Sequence, residues 1–172
     1  YNNEYVPTSL KTVVITGGES IGGYAFKDCS SILELSIPDS VTSIGEDAFI
    51  NCSSLTYYEY DNAYYLGNES NNYIALIKVK RTTIVSNIIN ENTKVICSEA
   101  FKGCSSLEDI IIPNAVTYIG TEAFYNCSAL DEVIIPNSVL DIGNEVFYNC
   151  SYLTKVVVSD NVKYLGKATF YN

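Results

Sequence analysis

Apolar residues recur along this chain in a fixed skeleton, L-x-x-I-x-I-P-x-x-V-x-x-I-G-x-x-A-F-x-x-C, with polar residues in most of the gaps. Phenylalanine keeps the beat at positions 26, 49, 101, 124, 147 and 170, at intervals of 23, 52, 23, 23 and 23 residues. A cysteine follows at 29, 52, 104, 127 and 150. Self-similarity at such a period predicts stacked supersecondary units. The L-x-x-I-x-I segment alternates with period two, so it predicts a short strand with Val133 and Ile135 on one face and Glu132 and Ile134 on the other. Proline at 38, 113 and 136 ends that strand, because it cannot donate to a ladder. V-x-x-I-G turns inward twice more. G-x-x-A-F-x-x-C, with apolar positions three apart, predicts a short helical or 3₁₀ turn on the far side. The residue before each cysteine is Asp28, Asn51, Gly103, Asn126 or Asn149, and these types tolerate a left-handed backbone. A positive φ is expected there in every copy.

One such unit cannot bury its apolar side alone. Stacked units share a continuous core, with parallel strands about 4.8 Å apart. The expected fold class is therefore a right-handed solenoid with a parallel β-sheet on one face and short helical or 3₁₀ turns on the other. A single elongated domain over residues 1–172 suffices, with regular repeats at about 10–56 and 84–172.

The interval of 52 residues marks a departure, about 57–83. Tyr64-Tyr65-Leu66-Gly67 and Tyr73 to Lys80 flank Asn68-Glu69-Ser70-Asn71-Asn72, a run of turn formers. This predicts a β-hairpin insertion growing out of the solenoid. The strand slot before it is assigned to Leu55–Tyr60. Counting back from Phe101 puts Asn87 in an inward slot and Cys97 in the glycine slot, so this coil is expected to be irregular or shifted by a residue.

The stretch Ile37 to Leu55 reads I-P-x-S-V-T-x-I-G-x-x-A-F-x-x-C-S-S-L, with every position filled. It resembles the BspA-like subclass of leucine-rich repeats. The resemblance covers residues 10–56 and 84–172 and implies a leucine-rich-repeat solenoid. It also implies a bacterial or protozoan surface or secreted protein, a role in adhesion to other proteins or cells, and no catalytic activity.

Charge and composition narrow the partners. The net charge is −10, which argues against nucleic acid and against an anionic membrane surface. No run approaches the roughly 18 apolar residues of a membrane-spanning helix. The chain starts at Tyr1 without methionine and ends within a repeat, as expected for a piece of a longer protein. An extracellular or cell-surface location follows only from the resemblance. The chain is expected to be monomeric, to need no cofactor and to bind a protein.

Five cysteines share one inward column, where parallel side chains suit contact but not the disulfide dihedral, so buried thiols are expected. The chain has no histidine and no C-x-x-C, which argues against zinc. Gly18-Glu19-Ser20-Ile21-Gly22 matches the nucleophile elbow G-x-S-x-G, yet Ser20 has no imidazole base in the chain. Paired carboxylates such as Glu46-Asp47 and Asp131-Glu132 recur on the repeat lattice, as solvated surface charges do. Asn68, in the loop of the insertion, is the accessible one of the Asn-x-Ser sites.

The candidate binding residues lie on the outer face of the sheet. Ile111, Ile134 and Val157 fall in one outward column, rimmed by Asp109, Glu132 and Lys155. An apolar stripe with a polar rim marks a contact site, although β-propensity also places branched residues there. Tyr57, Tyr64 and Tyr65 in the insertion form a second candidate, since tyrosine offers rigid contact area with a polar tip; packing beneath the hairpin is the other role open to them. The two functions that remain are a protein-binding module of an adhesin-like protein and a spacer that displays another domain.

Overall fold

A computed structural model describes Pro7 and residues 9–172. The chain is a β-solenoid in which each regular coil contributes one three-residue strand, one two-residue strand and one turn segment. The three-residue strands are β1 (Thr12–Val14), β3 (Glu34–Ser36), β8 (Ser86–Ile88), β10 (Asp109–Ile111), β12 (Glu132–Ile134) and β14 (Lys155–Val157). The two-residue strands are β2 (Ser20–Ile21), β4 (Ser43–Ile44), β9 (Val95–Ile96), β11 (Tyr118–Ile119), β13 (Asp141–Ile142) and β15 (Tyr164–Leu165). Parallel pairing holds each residue opposite its repeat equivalent, such as Val133 opposite Val156 and Ile119 opposite Ile142. Alternation does the rest: Ile110, Val133, Ile135 and Ile142 are buried while Ile111 and Ile134 face water.

The far side is not helical. Among the described residues there is no helix, and the expected helical or 3₁₀ turns are replaced by linked β-turns. In the coil around Phe124, the N–H groups of Ala123, Tyr125 and Cys127 donate to carbonyls three residues back. The N–H groups between them, those of Glu122, Phe124 and Asn126, donate to Asn144, Val146 and Tyr148 of the next coil. Each coil thus hydrogen-bonds within itself and to its successor in alternation. The geometry needs two left-handed residues per turn segment, as at the third position of type II turns. One is the residue before cysteine, as expected, with φ of 61° at Asn51 and 59° at Asn126. The other differs from the expectation of one per copy and falls on Tyr24, Asp47, Glu99, Glu122, Glu145 and Ala168. Spacing of three between apolar residues fits both a helix and this turn chain, so periodicity alone could not separate them.

Within the turns the phenylalanine rings stack. Phe101, Phe124, Phe147 and Phe170 follow one another at 5.0, 5.3 and 5.8 Å with planes nearly parallel. Outside them, Tyr125, Tyr148 and Tyr171 stack at 4.9 and 5.1 Å. All six cysteines are buried, and the thiols of Cys52, Cys127 and Cys150 donate to the phenylalanine carbonyl of the coil before, at 2.9, 3.2 and 3.2 Å. The glycine after I in V-x-x-I-G serves close approach: a Cβ on Gly143 would sit 2.5 Å from the Thr121 backbone nitrogen.

The spine is not continuous. It divides into two apolar cores, one formed by the first coils with Leu66, Ile74, Ala75, Val95 and Cys97, the other by the later coils with Ala63, Tyr65, Leu76 and Ile96. The insertion causes the division. It is a three-strand antiparallel meander, β5 (Tyr58–Tyr60), β6 (Ala63–Leu66) and β7 (Ala75–Val79), and β7 joins the two-residue strip by pairing in parallel with β9. The expected hairpin is present as β6 paired antiparallel with β7, but it lies between the stacks and contributes residues to each rather than growing outward. The Leu55–Tyr60 strand slot is corrected accordingly, because β5 pairs with β6 and not with β3. Its place beside β10 is taken by β8. The coil at Asn87 and Cys97 keeps register without a shift, with Asn87 opposite Ile110 and Val95 opposite Tyr118. Asn87 faces inward with neither side-chain polar atom hydrogen-bonded. Cys97 is tolerated in the glycine slot because its predecessor is strand β7, not another turn. Asn68 is not a free acceptor site: its carboxamide donates to Ile37 and accepts from Ser70 and Asn71, latching the meander onto the second coil.

Candidate functional site

Residues spaced by one repeat form a ridge on the outer face of the three-residue strip. Ile111, Ile134 and Val157 are 82, 64 and 43 % exposed, and Ile88, at 65 %, extends the column by one strand. Pairing fixes the alignment, with Ile88 opposite Ile111 and Ile134 opposite Val157. The two pairs belong to separate two-stranded ladders, β8–β10 and β12–β14, which lie in contact through β10 and β12, so the four branched side chains form one apolar ridge with a break in hydrogen bonding at its middle. Ile88 lies one period before Ile111, so the column count alone could have found it. The misassigned strand slot at residues 55–60 hid it.

The rim is acidic. Asp109, Glu132 and Lys155 form the neighbouring outward column, and the Lys155 ammonium lies 3.2 Å from the Glu132 carboxylate. Both groups are more than half exposed, so this pair is solvent-screened and adds little stability. Glu108 and Asp131 line a depression on the same side, together with the exposed Tyr152. On the other side a cleft of about 670 Å³ runs past Ile88 and Ile111, bounded by Glu91, Asn92, Pro113 and Asn114. The ridge is thus framed by carboxylates and suits an apolar surface edged with lysine or arginine.

The tyrosine candidates are elsewhere, on the meander, and are not joined to the ridge. Tyr57 and Tyr64 are half-buried with rings 5.6 Å apart, and the Lys80 ammonium lies 5.9 Å above the Tyr64 ring. Tyr65 is fully buried, its ring set edge-on to Tyr60 and Tyr73. Burial pushes its hydroxyl up to about 12, and it accepts a long hydrogen bond from the Asn90 N–H at 3.4 Å. A side chain so placed offers no contact area. It is the core filler that its position between two apolar stacks demands.

Ser20 lies in strand β2 opposite Ser43, not in a strand-to-helix elbow. Among the described residues, no group of three His, Cys, Asp or Glu side chains converges on a metal position, and no helix is long and apolar enough to cross a membrane.

The profile of the BspA type Leucine rich repeat region matches residues 1–81 and 78–172, in six copies. Solved structures resemble the fold. A leucine-rich repeat protein of T. pallidum is 26 % identical over 92 % of this chain and 74 % of its own, with a TM-score of 0.52. A leucine-rich repeat protein from Eubacterium ventriosum is 27 % identical over 90 % of this chain and 44 % of its own, with a TM-score of 0.58. The pneumococcal vaccine antigen PcpA shares the fold at 20 % identity and a TM-score of 0.57, over 92 % of this chain and 47 % of its own. No curated protein sequence matches the chain.

Proposed function

Because the chain belongs to the BspA-type leucine-rich repeat family, we propose that it is a non-catalytic protein-binding module of a secreted or cell-surface protein. Its contact face is the ridge of Ile88, Ile111, Ile134 and Val157. The observation that carries this reading is the exposure of four large apolar side chains at equivalent repeat positions, in register as the pairs Ile88–Ile111 and Ile134–Val157. Such a patch is costly to leave in water and gains about 1.5–3 kcal/mol per side chain when covered. Adhesion to a host or neighbouring cell is the role proposed for the chain, on its membership of this family. A basic, apolar protein surface is the chemistry that the acidic rim selects.

The test replaces Ile111, Ile134 and Val157 by serine together and compares capture from extracellular-matrix preparations with that of the unaltered protein. Loss of capture with an unchanged circular dichroism spectrum supports the ridge. Equal capture by both proteins refutes it, and no capture by either favours a spacer that displays another domain.

A further inference from the structure

Where the two stacks meet, the second coil presents an uncovered row of donors. In the regular coils, three alternate N–H groups of each turn segment donate to carbonyls of the next turn: Tyr24, Phe26 and Asp28; Glu99, Phe101 and Gly103; Glu122, Phe124 and Asn126; Glu145, Phe147 and Asn149. The equivalent groups of the second coil are those of Asp47, Phe49 and Asn51. Among the described residues none of these three has an acceptor, because the meander replaces the turn that would follow. The row opens into a crevice of about 470 Å³ whose walls include Phe49, Cys52, Tyr57, Ile77, Lys78 and Cys97. Across it lies the turn at Phe101, and among the described residues the meander uses one carbonyl of that turn, that of Ala100, which accepts from Val79.

We infer that this crevice receives a peptide segment of a partner protein, whose alternate backbone carbonyls accept from the Asp47, Phe49 and Asn51 N–H groups. The occupant's chemistry is read from the four covered rows. Each is capped by a peptide backbone with carbonyls two residues apart, and the Phe of each row is met by another Phe ring at 5.0–5.8 Å. Among the described residues Phe49 has one ring partner, Phe26 at 5.8 Å. The segment therefore carries an aromatic residue directly after the one whose carbonyl accepts from Phe49, as Phe147 follows Val146. Asp47 and Glu99 also line the crevice against the single Lys78, which disfavours an acidic segment. Main-chain pairing to an open edge supplies affinity, and the pocket for one side chain supplies selectivity. This site is on the turn side and does not depend on the ridge.

The probe is an acetylated, amidated peptide of residues 142–152 with Glu145→Gln and Cys150→Ser, which copies the turn that covers the Glu122–Asn126 row. Backbone amide exchange and shifts are followed by NMR on the whole chain. In the free protein the amides of residues 47, 49 and 51 exchange at least about tenfold faster than those of 122, 124 and 126, having no acceptor. Titration slows them and shifts them saturably, and Phe147→Ala in the peptide weakens binding about tenfold or more through lost ring burial. Ile111→Ser with Ile134→Ser leaves the titration unchanged. Equal protection of the two rows in the free protein overturns the inference. So does the absence of saturable shifts at millimolar peptide, or shifts that map to the ridge.

Discussion

Emptying one site in the phenylalanine stack measures how much the shared spine contributes. Phe124 is wholly buried, with Phe101 at 5.0 Å on one side and Phe147 at 5.3 Å on the other. Phe124→Ala removes a core aromatic, which costs about 3–5 kcal/mol. The two parallel neighbours each contribute about 0.5–1.5 kcal/mol of ring contact beyond area burial, so the loss belongs at the upper end. Phe170 is the internal control: it is 40 % exposed and has one ring neighbour, at 5.8 Å. With roughly half the burial and one contact, Phe170→Ala is expected to cost about 1–2 kcal/mol. Urea unfolding followed by circular dichroism gives both values from shifts in midpoint at constant slope. A Phe124→Ala loss no larger than that of Phe170→Ala would refute the reasoning, because position in the stack would then carry no energy.

Other perturbations test separate parts of the account. Gly143→Ala is expected to cost about 3 kcal/mol in the same assay, since its Cβ meets the backbone of the coil before, while Gly22→Ala, with open space at the Cβ, stays within about 0.5 kcal/mol. Burial pushes the thiols of Cys52 and Cys150 up to about 11 and that of Cys97 up to about 12. The unfolded chain loses these protons near pH 9 while the folded chain keeps them, so stability is full below that pH. It falls as pH rises toward 11–12, by at most about 1.4 kcal/mol per pH unit for each thiol. Cys97→Ala should flatten the decline, and an unchanged slope would contradict the assignment. The native protein should resist a thiol reagent at neutral pH and release six reactive thiols in urea.

Much of this was legible in the residues. The period, the strand-ending prolines, the inward set of Val133 and Ile135, and the left-handed residue before each cysteine follow from local stereochemistry repeated many times. The turn side was misread because linked β-turns and a helical turn share the same apolar spacing. Only the hydrogen bonds distinguish them, and these run to the next coil, beyond the reach of a local pattern. The left-handed Glu122 and Glu145 gave no compositional sign, since glutamate is not a residue that seeks such a backbone. The meander defeated counting for a related reason. Its antiparallel pairing, with Tyr60 opposite Ala63, is set by a tight turn at Asp61 and Asn62. That turn removed Tyr57 and Glu59 from the strip and left the place beside β10 to Ser86–Ile88. Asp61 then accepts the Ile88 N–H at 2.9 Å, satisfying part of an edge that has lost its neighbour. Tyr65 looked like a surface aromatic because nothing in its own segment reveals that apolar stacks lie on both sides of it.

Coils that stack in register put neighbouring residues of one strand on opposite sides, one in the core and one in water. Single cysteines placed at Ile134 and at Val133, read by the rate of maleimide labelling under native conditions, test this most directly, because the native thiols are all buried. Ile134→Cys is expected to label at nearly the rate of an unfolded thiol, and Val133→Cys only upon unfolding. Labelling of both at similar rates, or of the second alone, would contradict the fold, the ridge and the function drawn from it.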